Sequence, residues 1–199
     1  MRLHFGAIPS SPDFTPDTSW KPLRQPSPWM ALLVALPIGI VAAGVVAVLW
    51  LAMTPLQVHD VTSTMSLCGF LISFAGMVVV HELIHVAVHP MSGRSPHTIV
   101  GIGGPSTGVY AHYDGEMTRN RFVAIFLMPL VVISLVPLLV AAVAQVSSGW
   151  IAFVSALNAF GACIDVLDAG LILFQIPATA VVRQQGLRTY WREPETLAV

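Results

Sequence analysis

The chain has 199 residues and a mass of 21.3 kDa, with 55% hydrophobic and 10% charged residues and a mean hydropathy of +0.77. Soluble domains carry about 25% charged residues, so this composition leaves too little polar surface to coat a water-soluble globule. Nine basic and ten acidic residues leave a net charge of -1, with no polybasic field, which argues against nucleic acid as a partner. Cys68 and Cys163 both sit in apolar blocks, where they read as small hydrophobes and not as a disulfide framework.

Residues 1–29 are rich in Pro and Ser and show neither helical nor strand periodicity, which predicts a flexible cytoplasmic tail. No apolar block follows the N-terminus closely enough for a secretory signal, so the first span reads as a retained anchor. A domain of four spans is predicted over residues 30–178, followed by a cytoplasmic C-terminal tail over 179–199. Each apolar block approaches the roughly 20 residues that cross a hydrocarbon core. The spans are predicted at about 30–53, 64–89, 122–146 and 150–176. The first and third carry no charge and read as plain spans, with Pro129 and Pro137 as expected kinks in the third. Only the second and fourth carry ionisable groups at membrane depth.

All nine Lys and Arg residues fall in three segments: before the first span, between the second and third, and after the fourth. The positive-inside rule therefore places both termini and the middle loop in the cytoplasm. The expected location is a cell membrane of bacterial type. The middle loop, residues 90–121, contains two strand-like runs, Thr98 to Ile102 and Val109 to Tyr113, separated by Gly103, Gly104, Pro105 and Gly108. The predicted fold is thus all-α and polytopic, with four transmembrane helices and a small cytoplasmic β-hairpin between the second and third. The hairpin reads either as an ordinary cytosolic connection or as an edge that pairs with an extended substrate. Its glycines do not match a phosphate-binding fingerprint.

The second span contains His81-Glu82-Leu83-Ile84-His85. Residues four apart share one helix face, so both imidazoles can reach one metal ion with Glu82 beside them. Chance would produce this pattern roughly 0.005 times per chain of this composition. An acidic residue at the centre of a span costs on the order of 2.5 to 3.5 kcal/mol, which packing alone does not require. The bland alternative is a polar cluster that joins helices by hydrogen bonds.

A catalytic zinc centre has three protein ligands and one open position. His89 lies about 12 Å along the axis from His81 and cannot share its ion. His97 and His112, in the middle loop, are weaker candidates. Asp165 and Asp168 are better placed. The second and fourth spans run in the same direction, and counting from their outer ends puts both aspartates at the depth of His81 and His85. One aspartate is expected to bind the Zn2+ and the other to orient a ligand.

His81 to His85 in a membrane helix, followed two spans later by Asn158, Gly161 and Asp165, resembles the zincin-type membrane metallopeptidases, of which the site-2 proteases are the best known. The sequence is more similar to a smaller zincin-peptidase family known as a domain of unknown function. That likeness covers roughly residues 75–185 and includes Gly108-Val109-Tyr110-Ala111, Met117-Thr118-Arg119 before a proline-containing span, and an Asn-x-x-Gly segment with Asp seven residues after the Asn. Two departures stand out. No proline follows Asn158, with Leu167-Asp168-Ala169-Gly170 only a partial echo of the site-2 Leu-Asp-Gly, and Ile164 occupies a position usually held by glycine in the smaller family. The third ligand thus stays open between Asp165 and Asp168, with the Asn158 spacing and the level of His81 favouring Asp165.

The chemistry read from these residues has zinc on His81, His85 and Asp165, with Glu82 as general base. Asn158 reads either as a donor to the oxyanion or as a helix-packing amide. The expected activity is endopeptidase cleavage of membrane-protein or peptide substrates within the lipid bilayer. A metal sensor or transporter-like protein without peptidase activity, and a structural bundle without metal, are the alternatives.

Overall fold

The computed structural model describes residues 1–63, 66–104 and 108–194. The expected start of the second span at Thr64, Pro105 of the hairpin turn and residues 195–199 of the C-terminal tail lie outside the described residues. In chain order the strands are β1 (Arg2–Phe5), β2 (Lys21–Pro22), β3 (Thr98–Ile102), β4 (Val109–Tyr113), β5 (Met117–Thr118), β6 (Val181–Gln185) and β7 (Arg188–Arg192). The helices are α1 (Pro28–Met53), α2 (Val58–Ser63), α3 (Leu67–Val88), α4 (Arg119–Pro129), α5 (Val136–Ala144), α6 (Gly149–Gly161) and α7 (Cys163–Gln175). A π-helical segment, Leu130–Leu135, joins α4 to α5.

Among the described residues, three helices are long and apolar enough to cross a membrane: Pro28–Met53, Leu67–Val88 and the continuous run Arg119–Ala144. A fourth span exists if α6 and α7 count as one, although they are bent by 48°. The predicted fourth span is therefore broken. The break falls at Gly161 and Ala162, where glycine has the lowest helix propensity of any residue except proline.

The chain divides into two compact units. The first unit comprises Met1–Pro26, His85–Phe126 and Asp168–Val199. It holds two sheets, so the all-α expectation with a lone hairpin is corrected. In one sheet β1 lies parallel to β3, with Arg2 opposite Ile99, and β3 pairs antiparallel with β4, with Thr98 opposite Tyr113. The other has the order β2-β7-β6-β5, with every neighbour antiparallel. The N-terminal segment expected as a free tail thus supplies two strands, and the C-terminal segment supplies a hairpin. Strands of four and two residues whose partners lie far along the chain leave too short a run for a period of two to show. Leu23, Met117, Phe122, Ile125, Ile172 and Val182 form the apolar core of this unit.

The second unit comprises Ser27–Ile84 and Leu127–Leu167. Here α1 packs tightly on α6 at Gly39, where an added Cβ would lie 2.8 Å from the Phe160 carbonyl oxygen. Small residues permit such close approach between apolar helices. Val46, Trp50, Leu138, Ala152 and Ala159 fill the space on either side. The outer face of α1 stays apolar and open, with Ile40, Val41 and Val48 all at least 60% exposed, as a lipid-facing surface requires.

Candidate metal centre

The expectation of kinks at Pro129 and Pro137 leads directly to the polar heart of the molecule. Proline has no N–H, so in a helix it leaves the carbonyl four residues back without its usual donor. Pro129 leaves the Ile125 carbonyl open, and Pro137 leaves that of Ile133 open. Each receives a side chain instead. His85 Nδ1 lies 2.8 Å from the Ile125 oxygen, and Ser155 Oγ donates to the Ile133 oxygen at 3.2 Å. Between the two prolines the helix widens into its π segment, where the Val136 N–H bonds the Val131 carbonyl five residues back. At this widening the Pro129 carbonyl and Ser134 Oγ both accept from Asn158 Nδ2, each at 3.0 Å. Ser134 Oγ in turn donates to the Ser155 carbonyl at 2.7 Å.

Asn158 is fully buried on α6. Because its Nδ2 faces two acceptors, its Oδ1 is the atom that meets His81 Nδ1, at 2.9 Å. The opposite ring nitrogen, His81 Nε2, lies 3.0 Å from Asp165 Oδ2. The break between α6 and α7 puts Asp165 in the first turn of α7, where unpaired backbone N–H groups and the helix dipole favour a carboxylate. The same α3 face carries His85 one turn after His81. One ligand atom from each of His81, His85 and Asp165 falls within 4.8 Å of the others. The helix sets this spacing for the two imidazoles, and the direct contact with His81 sets it for Asp165.

Each expected site residue can now be placed. The side chains of His81 and Asp165 are 12% and 15% exposed, and His85 is 6% exposed. Glu82 is partly buried on the same helical turn as His81. Asp168 is partly buried one turn further along α7 and is not in the three-residue group. Asn158 Nδ2 has the Pro129 carbonyl and Ser134 Oγ as acceptors, and its Oδ1 faces His81 Nδ1. His89 is 2% exposed, with its ring 5.5 Å from that of Tyr113. His97 Nδ1 meets Asp114 Oδ1 at 2.8 Å, and His112 is 3% exposed in β4. Burial holds the His112 imidazole down at about 4, and nearby Arg2 adds to the effect against the opposing pull of Asp114.

Sequence reasoning missed Pro129 and Ser134 as partners of the site. The signal was present in the pair Pro129 and Pro137, which marks two freed carbonyls in an uncharged helix.

The donor set fits a divalent ion on observations of this molecule alone. His85 Nδ1 faces the Ile125 carbonyl oxygen and His81 Nδ1 the Asn158 amide oxygen, contacts of the kind that orient metal-binding imidazoles. Two imidazoles and a carboxylate are the ligands of an open zinc centre. A largely helical chain with span-length apolar helices and this buried donor set has the makings of a membrane protein built around a metal centre. Residues 74–181, more than half of the chain, match the family described as "Putative zincin peptidase", and the chain belongs to that family. No curated protein and no solved structure matches it.

Proposed function

We propose that the protein is a zinc-dependent endopeptidase of the membrane, cleaving membrane-protein or peptide substrates. The observation that carries this reading is the convergence of His81, His85 and Asp165, one ligand atom of each lying within 4.8 Å of the others. Family membership supports it, as does Glu82 between the two histidines. When bound by these three residues, zinc supplies a Lewis acid that lowers the pKa of a water toward about 7. Glu82 accepts the proton of the attacking water and returns it to the amide nitrogen as the peptide bond breaks. Asn158 keeps the His81 ring in place throughout.

Both termini and the middle loop face the cytoplasm in this reading, since every basic residue lies in those segments. Water and substrate reach the centre from that side. A helical substrate hides its carbonyls in hydrogen bonds, so it must unwind locally, and the β3–β4 hairpin offers a strand for the opened segment to pair with.

The test is Glu82→Gln, which keeps size and polarity but cannot accept the proton. Zinc content should match wild type while turnover disappears, and uncleaved membrane proteins should accumulate and co-purify with the variant. Unchanged membrane proteomes with intact zinc would instead point to a sensor. The His81→Ala, His85→Ala double variant should carry no zinc. Asp165→Ala should lose most of the metal, and Asp168→Ala should retain more of it. Undiminished zinc in Asp165→Ala would remove Asp165 from the centre.

A further inference from the structure

We propose that a cleft between the end of α3 and the start of α4 binds the phosphodiester of an anionic phospholipid, with Arg121 as its cation. The cleft has a volume of about 530 Å3, within the range of small-molecule sites. Its apolar wall is Ala87, Val88 and Ala124, and its polar residues are His89, Ser92 and Arg121. All of them belong to the first unit, and none belongs to the three-residue metal group.

Three features of the polar side suit a phosphate. The Arg121 guanidinium is exposed and, among the described residues, has no ion-pair partner, whereas that of Arg119 donates to the Leu173 carbonyl at 3.1 Å and to Asn120 Oδ1 at 3.0 Å. Arg121 is the cation left over. His89 is only 2% exposed, yet its Nδ1 has no hydrogen-bond partner. Buried polar atoms are nearly always paired, and an anionic oxygen in the cleft is an acceptor for an imidazole N–H. Ser92 adds a hydroxyl, kept beside His89 by a tight reversal in which Met91 and Ser92 take left-handed φ values of 58° and 51° and the Gly93 N–H returns to the His89 carbonyl at 3.4 Å. No carboxylate lines the cleft to repel an anion.

The order of these residues along the helices selects a lipid over a soluble phosphate. Both α3 and the run Arg119–Ala144 are of span length, and the cleft lies where one ends and the other begins. Ala87 and Val88 are the last residues of α3, and Ala124 lies about 4.5 Å further into its helix than Arg121. The apolar wall is therefore on the hydrocarbon side, and His89, Ser92 and Arg121 are on the water side. A phospholipid has the same gradient, from acyl chains to phosphate. Free phosphate would leave the apolar wall unused. One unpaired guanidinium also matches one negative charge, as in phosphatidylglycerol, while the ammonium of phosphatidylcholine cancels that charge.

The experiment uses the full-length protein in nonionic detergent, titrated separately with phosphatidylglycerol, phosphatidylcholine and inorganic phosphate, with bound molecules counted by native mass spectrometry. Wild type should hold one phosphatidylglycerol at least about 10-fold more tightly than phosphatidylcholine, as a charge-assisted bond to a single guanidinium provides. Arg121→Gln should remove that preference, and Arg121→Lys should restore part of it. Ala87→Trp fills the apolar wall without changing charge and should also weaken binding. Arg94→Gln removes a charge from the same connection, at a residue that does not line the cleft, and should leave binding as in wild type. All three positions are exposed, so the variants should fold.

Equal binding of the two lipids to wild type overturns the proposal, and this outcome needs no variant. So does an equal loss in Arg94→Gln and Arg121→Gln, which would mean a diffuse charge effect, or unaltered binding in Ala87→Trp. Inorganic phosphate that binds alone and displaces the lipid would assign the cleft to a soluble anion and likewise overturn the lipid assignment.

Discussion

Helix α1 and the run Arg119–Ala144 are the two stretches that look most alike in the sequence. Each is 26 residues long, with hydropathy of 2.8 and 2.9, and each contains proline. Yet they do different work. In α1 the buried residues are Ala35, Gly39, Val46 and Trp50, and the remaining apolar surface is turned outward. Its contribution is close packing. The second run contributes polar backbone: the oxygens of Ile125, Pro129 and Ile133 and the hydroxyl of Ser134 each hold a side chain from another element. A span with no charge beyond Arg121 can still organise a polar site, because proline and a π segment release carbonyls that an ordinary α-helix would consume.

The sharpest test of that contrast removes the amide that reads the freed carbonyls. Asn158→Ala deprives the Pro129 carbonyl, Ser134 Oγ and His81 Nδ1 of a partner at a fully buried position, and should destabilise by about 3–5 kcal/mol. Ile40→Ala, at a position 60% exposed on α1, should stay within about 0.5 kcal/mol in the same detergent unfolding assay. Equal effects would mean that the two spans are not distinguished by polar organisation.

A second test addresses the sheets, which lie outside both spans. The His112 imidazole is held at about 4 against an ordinary 6.5, so the unfolded chain binds a proton that the native one refuses across that window. Stability from this group is present above pH 6.5 and is lost as pH falls toward 4, by up to about 3 kcal/mol. Melting temperature followed from pH 7 to 4 should drop less in His112→Leu than in wild type. A parallel decline in both would locate the acid sensitivity elsewhere.

The smallest effects sharpen the role of α1. Gly39→Ala places a methyl 2.8 Å from the Phe160 carbonyl oxygen and should cost about 1–3 kcal/mol. Gly44→Ala meets no atom within 4 Å and should be neutral or stabilising by up to about 1 kcal/mol through helix propensity. Thermal unfolding of the two variants side by side measures the difference, and equal melting points would remove Gly39 as a packing contact.

Much of this molecule was legible before folding. The apolar blocks marked the span-length helices within a few residues, since hydrocarbon thickness sets their length. The hairpin strands at Thr98–Ile102 and Val109–Tyr113 fall where β-rich runs flanked by glycine placed them. The i, i+4 spacing put His81 and His85 on one helix face, and counting depth brought Asp165 level with His81. These readings depend on local period or on counting, both of which a sequence carries.

Tertiary structure alone decided the rest. The run Val181–Gln185, Gly186-Leu187, Arg188–Arg192 has the form of a hairpin, with Gly186 at a φ of 58°, but it reads as a polar tail until β2 and β5 pair with it. β1 finds its partner almost a hundred residues away, where no periodicity can point. The break at Gly161 and Ala162 turned one expected span into two helices and gave Asp165 a helix N-terminus. The choice of Asp165 over Asp168 for the three-residue group came from packing, as did the Ile125 carbonyl that meets His85 and the Asn158 amide that meets His81. Composition and spacing determined which residues could do the chemistry, because those properties belong to the chain. Which nitrogen, which carboxylate and which carbonyl face one another depends on hydrogen bonds between distant segments, and those exist only once the chain has folded.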